Sequence, residues 1–236
     1  MRCATHPGVV ASGDEPATLR VLLWRRALDP HIGRWSLPGG RLRPDEDVEH
    51  SIRRQLAEKV DVKTLAHVEQ LGVFSAPARV PGPRVVATAF LGLIPSDVDP
   101  VVPEDTSWHD VGDLPRTAFD HREIVLHARD RLRAKLSYTN VGFALAPAEF
   151  TVSALRQFYS AALGYRVAAT NLQRVLTRRG ALVPTGRTAS PGRSGGRPAA
   201  LYRFAHRDMR VTDPFAVFRP PAPAAGRGSR TRGGTA

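Results

Sequence analysis

Residues 37–62 read Leu37-Pro38-Gly39-Gly40-Arg41-Leu42-Arg43-Pro44-Asp45-Glu46-Asp47-Val48-Glu49-His50-Ser51-Ile52-Arg53-Arg54-Gln55-Leu56-Ala57-Glu58-Lys59-Val60-Asp61-Val62. A proline followed by two glycines makes a tight turn whose backbone can approach a ligand closely. From Pro44 a helix is expected, capped by Asp45, with Val48, Ile52 and Leu56 recurring every four residues on its apolar stripe. Positions 55, 58 and 59 stand at i, i+3 and i+4 and therefore share one helix face. They hold Gln55, Glu58 and Lys59, so the formal charge of that face is zero.

Gly40, Glu46, Arg54, Leu56, Glu58 and Val62 fall at the spacing G-x5-E-x7-R-E-U-x-E-E-x-G-U, where U is a bulky aliphatic, and Leu37-Pro38-Gly39 matches its usual lead-in. The stretch resembles a Nudix box. The resemblance implies a mixed β-sheet between helices, with the motif as a loop-helix-loop. It also implies an activity: cleavage of nucleoside diphosphates linked to another moiety, with magnesium or a similar cation. In that family positions 55, 58 and 59 are glutamates that hold hard cations. Here Gln55 offers a carbonyl oxygen but is a poor proton acceptor, Lys59 puts a cation where a metal ligand belongs, and Asp61 replaces a glycine. The expectation is a site that does not hydrolyse, with no catalytic or metal-binding residue and no required cofactor. The alternative is a diverged enzyme that recruits acids from elsewhere, such as Glu49 or Glu104. Glu46 and Arg54 read as an ion pair that orients the helix.

Outward from this stretch, Leu19–Trp24 reads as a strand, as do Val68–Phe74, Arg84–Ile94 and the short Trp108–Val111. Asp120-His121-Arg122-Glu123 has a capping-box pattern ahead of a helix carrying Ile124, Ala128 and Leu132 on one stripe. The chain has 236 residues and 42% hydrophobic content, enough for one large or two small domains and too apolar for wholesale disorder. Its net charge of +12 sits entirely in residues 137–236, where 15 arginines face only Glu149, Asp208 and Asp213. Such asymmetry suggests a neutral module joined to one that meets a polyanion. A single cysteine, Cys3, excludes an internal disulfide and a thiolate zinc site, and no apolar run is long enough for a membrane span. A reducing, cytoplasmic setting is expected. The histidines form no zinc pattern.

In the second half, Thr151 reads as an N-cap, with Phe150 and Leu155 as a hydrophobic staple. Leu155, Phe158 and Ala162 form the buried stripe, and Gly164 ends that helix. Thr170 is expected to cap a second helix, Asn171–Arg179, with Leu172, Val175 and Leu176 inward and Gly180 as its stop. Ala181–Thr185 and Ala199–Phe204 read as a hairpin around a Gly/Ser/Arg-rich segment. Helix, turn, helix, hairpin is the order of a winged helix-turn-helix.

Glu149-Phe150-Thr151-Val152-Ser153-Ala154-Leu155, Gly164, Asn171-Leu172-Gln173-Arg174, Gly196-Arg197-Pro198-Ala199 and Tyr202-Arg203-Phe204, with Phe119-Asp120-His121 upstream, form a second pattern. Over residues 19–206 the chain is similar to the Nudix-related transcriptional regulators of NAD metabolism, the NrtR type. This implies an α/β (α+β) Nudix-like sensor over 18–136, after a flexible lead at 1–17. A winged helix-turn-helix follows over 137–210, then a disordered Pro/Gly/Arg tail at 211–236. The resemblance further implies a homodimer that binds a palindromic operator in double-stranded DNA, usually as a repressor of NAD synthesis or salvage genes. Its effector would be ADP-ribose or a related nucleotide.

The residue chemistry agrees. Asn171, Arg174 and Arg178 follow i, i+3, i+7 on the second helix, flanked by Gln173 and Thr177, and these types read adenine and guanine in the major groove. Thr170 with the amides at the helix start can hold a phosphate. Arg179 suits backbone rather than bases, and Arg187, Arg193 and Arg197 of the wing suit phosphate or minor groove. For the nucleotide, Gly39 and Gly40 allow a close approach, and Arg25 and Arg26 lie at a strand end beside that turn. Phe74, Arg79 and Arg84 stand where related ADP-ribose-binding Nudix proteins carry an aromatic and arginines. Phe74 reads equally well as plain core. Two rival readings are a working ADP-ribose hydrolase with an accessory DNA-binding domain, and a DNA-binding protein whose Nudix part is a dimerisation scaffold.

Overall fold

Leu19, Val21 and Leu23 alternate with Leu22 and Trp24, so strand β2 (Thr18–Arg25) buries apolar residues on both faces. In a computed structural model describing residues 1–4, 17–189 and 198–213, β2 is the centre of a four-stranded sheet. Strand β6 (Thr106–Asp110) pairs along one side of it. Strands β1 (Arg2–Ala4) and β3 (Trp35–Ser36) pair with its two ends on the other side. All these pairs are antiparallel; among the described residues the parallel component of the expected mixed sheet is the bridge between Trp35 and Thr117. Strands β4 (His67–Phe74) and β5 (Ala87–Leu93) form a second antiparallel sheet with a bulge between Gln70 and Gly72.

Helix α1 (Val48–Val60) covers the Leu22 face, where Val60, Val62 and Ile94 complete a small core. Its cap is Asp47, whose carboxylate accepts from the His50 N–H at 2.8 Å, and not the expected Asp45. The stripe also differs from expectation. Val48 is exposed, and the buried residues are Ser51, Gln55 and Val60. Helix α2 (His121–Tyr138) buries Ile124, Val125, Ala128, Leu132 and Leu136. Its first residue follows Asp120, but that carboxylate makes no cap bond, because it is taken by Arg79.

After α2 the chain dips inside. Thr139 to Ala146, including a 3-10 turn at Val141–Ala144, is buried throughout. Strand β7 (Phe150–Thr151) leads into α3 (Val152–Leu163), capped by Thr151 and closed by Gly164 at φ 79°. Helix α4 (Ala169–Arg178) follows, then the wing strands β8 (Leu182–Thr188) and β9 (Ala200–Phe204), giving sheet order β7-β9-β8. Ala168 is the N-cap of α4 and no side chain caps it, so Thr170 lies within the first turn.

One core cluster runs through both halves. It joins Leu19, Val21 and Leu23 to Phe143 and Leu145, and on to Phe158, Tyr159, Leu172 and Phe204. Helix α3 packs on β2 and β1, where the buried Cys3 thiol reaches the Phe158 carbonyl at 3.5 Å. Arg2–Ala4 is therefore strand rather than lead, with Arg2 and Cys3 buried, a segment too short for any sequence pattern to mark. Helix α2 runs through the expected boundary at 136 and 137 to Tyr138. Residues 211–213 pack against its end, with the N–H groups of Thr212 and Asp213 on the Tyr138 carbonyl. Residues 5–16 of the expected lead, 214–236 of the expected tail, and the wing residues Arg193 and Arg197 lie outside the described residues.

Candidate ligand cleft and nucleic-acid interface

A cleft of about 960 Å³ opens between α1, the end of β2, β5 and the start of α2. Its apolar and aromatic lining includes Trp24, Val86, Trp108 and Phe119. Its charged lining is Arg26, Arg41, Lys59 and Arg79, with no carboxylate among the described residues. Such a wall suits a ligand with a flat apolar part and an anionic part. Two residues lining the cleft, Ser36 and Trp108, have buried side-chain polar atoms with no hydrogen-bond partner, the Ser36 hydroxyl and the Trp108 indole N–H. A buried polar group left unpaired is costly, so a ligand that bonds to these groups gains from them.

The Leu37-Pro38-Gly39 lead-in is held from both sides. Its Leu37 N–H donates to Nδ1 of His121 at 2.9 Å, and its Leu37 carbonyl accepts from the Trp24 indole at 3.2 Å. Burial pushes the His121 imidazole down to about 4, so the ring stays neutral. Gly40 lies against Gln55: a Cβ there would come 2.3 Å from the Gln55 side-chain amide and displace it. Gln55 is thus packed against the turn and faces the Arg54 guanidinium.

Glu46 and Arg54 form the expected ion pair, two-pronged at 2.8 and 2.5 Å, and Arg54 holds the Glu46 carboxyl down at about 2. Glu58 is engaged by Arg54 at 3.0 Å and Arg43 at 3.4 Å. The Lys59 ammonium donates to the Gly39 carbonyl and lies 5.0 Å from the centre of the Trp24 ring. Burial and the nearby Arg26 and Arg54 hold it below the usual lysine range. These groups do not fit a divalent cation. The amide is packed away, the one carboxylate faces two guanidinium groups, and the third position is itself a cation. Among the described residues, no three of His, Cys, Asp and Glu gather as a metal site.

The structure brings Arg26, Gly39, Gly40 and Arg79 to the cleft, out of the seven residues expected to meet the nucleotide. Arg26 lies 4.8 Å from the Phe119 ring centre and donates to the carbonyls of Pro30 and Leu28. Arg79 is locked two-pronged on Asp120, at 2.8 and 2.7 Å. Arg25, Phe74 and Arg84 lie outside the cleft lining. Arg25 follows Trp24 on the strand, so it points to the opposite face, over Trp35. Phe74 packs on the main core and edge-on to His127, and Arg84 is exposed in its loop. Sequence reasoning missed Trp24, Ser36, Trp108 and Phe119. Strand alternation held the signal for two of them: Trp24 shares a face with Leu22, whose cross-strand partner is Trp108.

On α4, Leu172 and Leu176 are buried, and Asn171, Arg174, Thr177 and Arg178 are exposed on the outer side. Arg174 donates to the Asn171 side chain at 2.9 Å. Thr170 is exposed beside them. Gln173 instead accepts a place in the wing, donating to the Tyr202 hydroxyl at 2.8 Å. Arg179 is paired with Asp213 at 2.6 Å, and Arg187 reaches Glu149 at 3.0 Å while staying mostly exposed.

A family model for the NUDIX domain matches residues 5–128, more than half of the chain. The chain belongs to the NUDIX family. Behind its Nudix domain stands a second one, matched over residues 142–204 by the model for the NrtR DNA-binding winged helix domain. This Nudix protein is 28% identical to the Acinetobacter baylyi protein named ADPR responsive transcriptional repressor NtrR, over 80% of this chain and 77% of that one. It is 31% identical to the ADP-ribose pyrophosphatase of Methanocaldococcus jannaschii, over 57% of this chain and 78% of that one. The crystal structure of Shewanella oneidensis NrtR complexed with a 27mer DNA matches with a TM-score of 0.65. That match has 28% identity and covers 86% of this chain and 91% of the other.

Proposed function

We propose that this protein is an ADP-ribose-responsive transcriptional repressor of NAD synthesis or salvage genes, whose Nudix domain binds the nucleotide without cleaving it. The carrying observation is a cleft with four cationic side chains and no carboxylate, built into the same core as a winged helix with an exposed Asn/Arg face. Likeness across nearly the whole chain to a repressor named for ADPR, and to a regulator crystallised on DNA, supports the reading. Asn171, Arg174 and Arg178 read bases, and Thr170 and Arg187 meet phosphate. A homodimer places two such helices in successive major grooves of a palindrome. ADP-ribose lowers operator affinity by binding more tightly to the arrangement that fits DNA poorly.

The test is a mobility shift on the DNA upstream of the gene, with and without ADP-ribose. The reading expects a discrete complex that ADP-ribose dissolves. A complex that withstands every nucleotide sugar and NAD relative would leave the Nudix part a scaffold. Identity to an archaeal ADP-ribose pyrophosphatase favours a second reading, a working hydrolase. Magnesium-dependent product release from ADP-ribose would establish that one in place of the first.

A further inference from the structure

The helix face that would carry metal in a hydrolysing Nudix protein carries a fixed cation here. We propose that the Lys59 ammonium takes the place of the metal ion and binds the diphosphate of the ligand directly, so that recognition needs no divalent cation. The inference rests on the nucleotide-binding reading of the same cleft.

Four observations carry it. Lys59 stands at the last motif position of α1, and its ammonium bonds to the carbonyl of Gly39, so it is stationed at the turn that approaches the ligand. Among the described residues no carboxylate lies within ion-pair distance of the ammonium: it bonds to the Gly39 carbonyl and sits over the Trp24 ring, and Glu58 acts on it only at longer range. Two other cations of the cleft are already engaged: Arg79 is neutralised by Asp120, and Arg26 is spent on two backbone carbonyls, while Arg41 is exposed and remains open to a ligand beside Lys59. Finally, the carboxylates that a bridging metal would need are absent from the lining, and Glu58 is turned to Arg43 and Arg54. A metal joins two anionic partners; where one partner is already cationic, the phosphate can meet it without a bridge.

The experiment is calorimetric titration of the full chain with ADP-ribose, ADP and inorganic pyrophosphate, each in EDTA and in magnesium. Wild type is expected to bind ADP-ribose equally in both. Lys59→Gln keeps a donor for the Gly39 carbonyl and removes the charge. It is expected to unfold at the wild-type temperature and to bind about 10- to 100-fold more weakly, the range for losing one charge-assisted hydrogen bond. Lys59→Arg is expected to restore binding. ADP-ribose binding that requires magnesium, or that Lys59→Gln leaves intact, overturns the role of Lys59 and leaves the proposed function standing. If ADP-ribose is ignored while ADP or pyrophosphate binds through Lys59, the named effector falls and the role of Lys59 holds. No binding of any of the three overturns both.

Discussion

His121 joins the start of α2 to the Leu37 N–H of the Nudix turn, and that bond requires an unprotonated Nδ1. Burial pushes its pKa from an ordinary value near 6.5 to about 4. The unfolded chain therefore takes up this proton before the native one does. The sign follows: the stability that a neutral His121 permits is complete above about pH 6.5 and is lost as pH falls toward 4, at about 1 kcal/mol per pH unit. Denaturant unfolding at pH 7, 6 and 5 should show this decline, and His121→Gln should make it shallower. The Met1 ammonium, pushed down to about 5 by burial, and His109, also lowered by burial, keep a residual slope of the same sign. A variant with the wild-type slope would take His121 out of the account. None of this was legible locally. His121 reads in sequence as part of a capping box, and its partner lies 84 residues away.

At the scale of elements, the two helices of the DNA-binding half make opposite use of threonine. Thr151 accepts from the Ala154 N–H at 3.2 Å and caps α3. Thr151→Ala should cost about 1 kcal/mol of stability, read from the denaturation midpoint. Thr170, one residue into α4, caps nothing, and Thr170→Ala should leave that midpoint unchanged. Equal losses in the two variants would show that cap geometry is not what distinguishes them. The α3 cap was readable because cap, staple and closing glycine agree within 15 residues of sequence. For α1 the expected cap is Asp45 and the observed cap is Asp47, two residues on, because its carboxylate is the one that meets the His50 N–H. Gln173 and Arg179 escaped for the same reason as Asp120: each is taken by a partner distant in sequence, respectively Tyr202, Asp213 and Arg79.

For the whole molecule, the charge asymmetry reads as two modules in sequence, and the fold joins them through one interior. Asn140, 2% exposed, donates to the carbonyls of His206 and Asp208 and accepts from the Arg210 N–H. With β2 covered by α3, unfolding should be a single transition with equal calorimetric and van't Hoff enthalpies. Asn140→Ala should lower that one transition by about 1–3 kcal/mol, the cost of buried polar groups left unpaired. Two separated heat-absorption peaks would contradict this. Motifs gave the two halves because each is local. Their fusion was not visible, because Leu19, Phe143 and Phe158 look like any core residues until the chain brings them together. The run from Thr139 to Ala146, sealed in the interior, then has a mechanical meaning. A swivel needs slack, and this joint has none. On the proposed function, a change made by the nucleotide at one end reaches the grooves of the duplex as a tilt of the entire protomer, the way a rigid key transmits a turn.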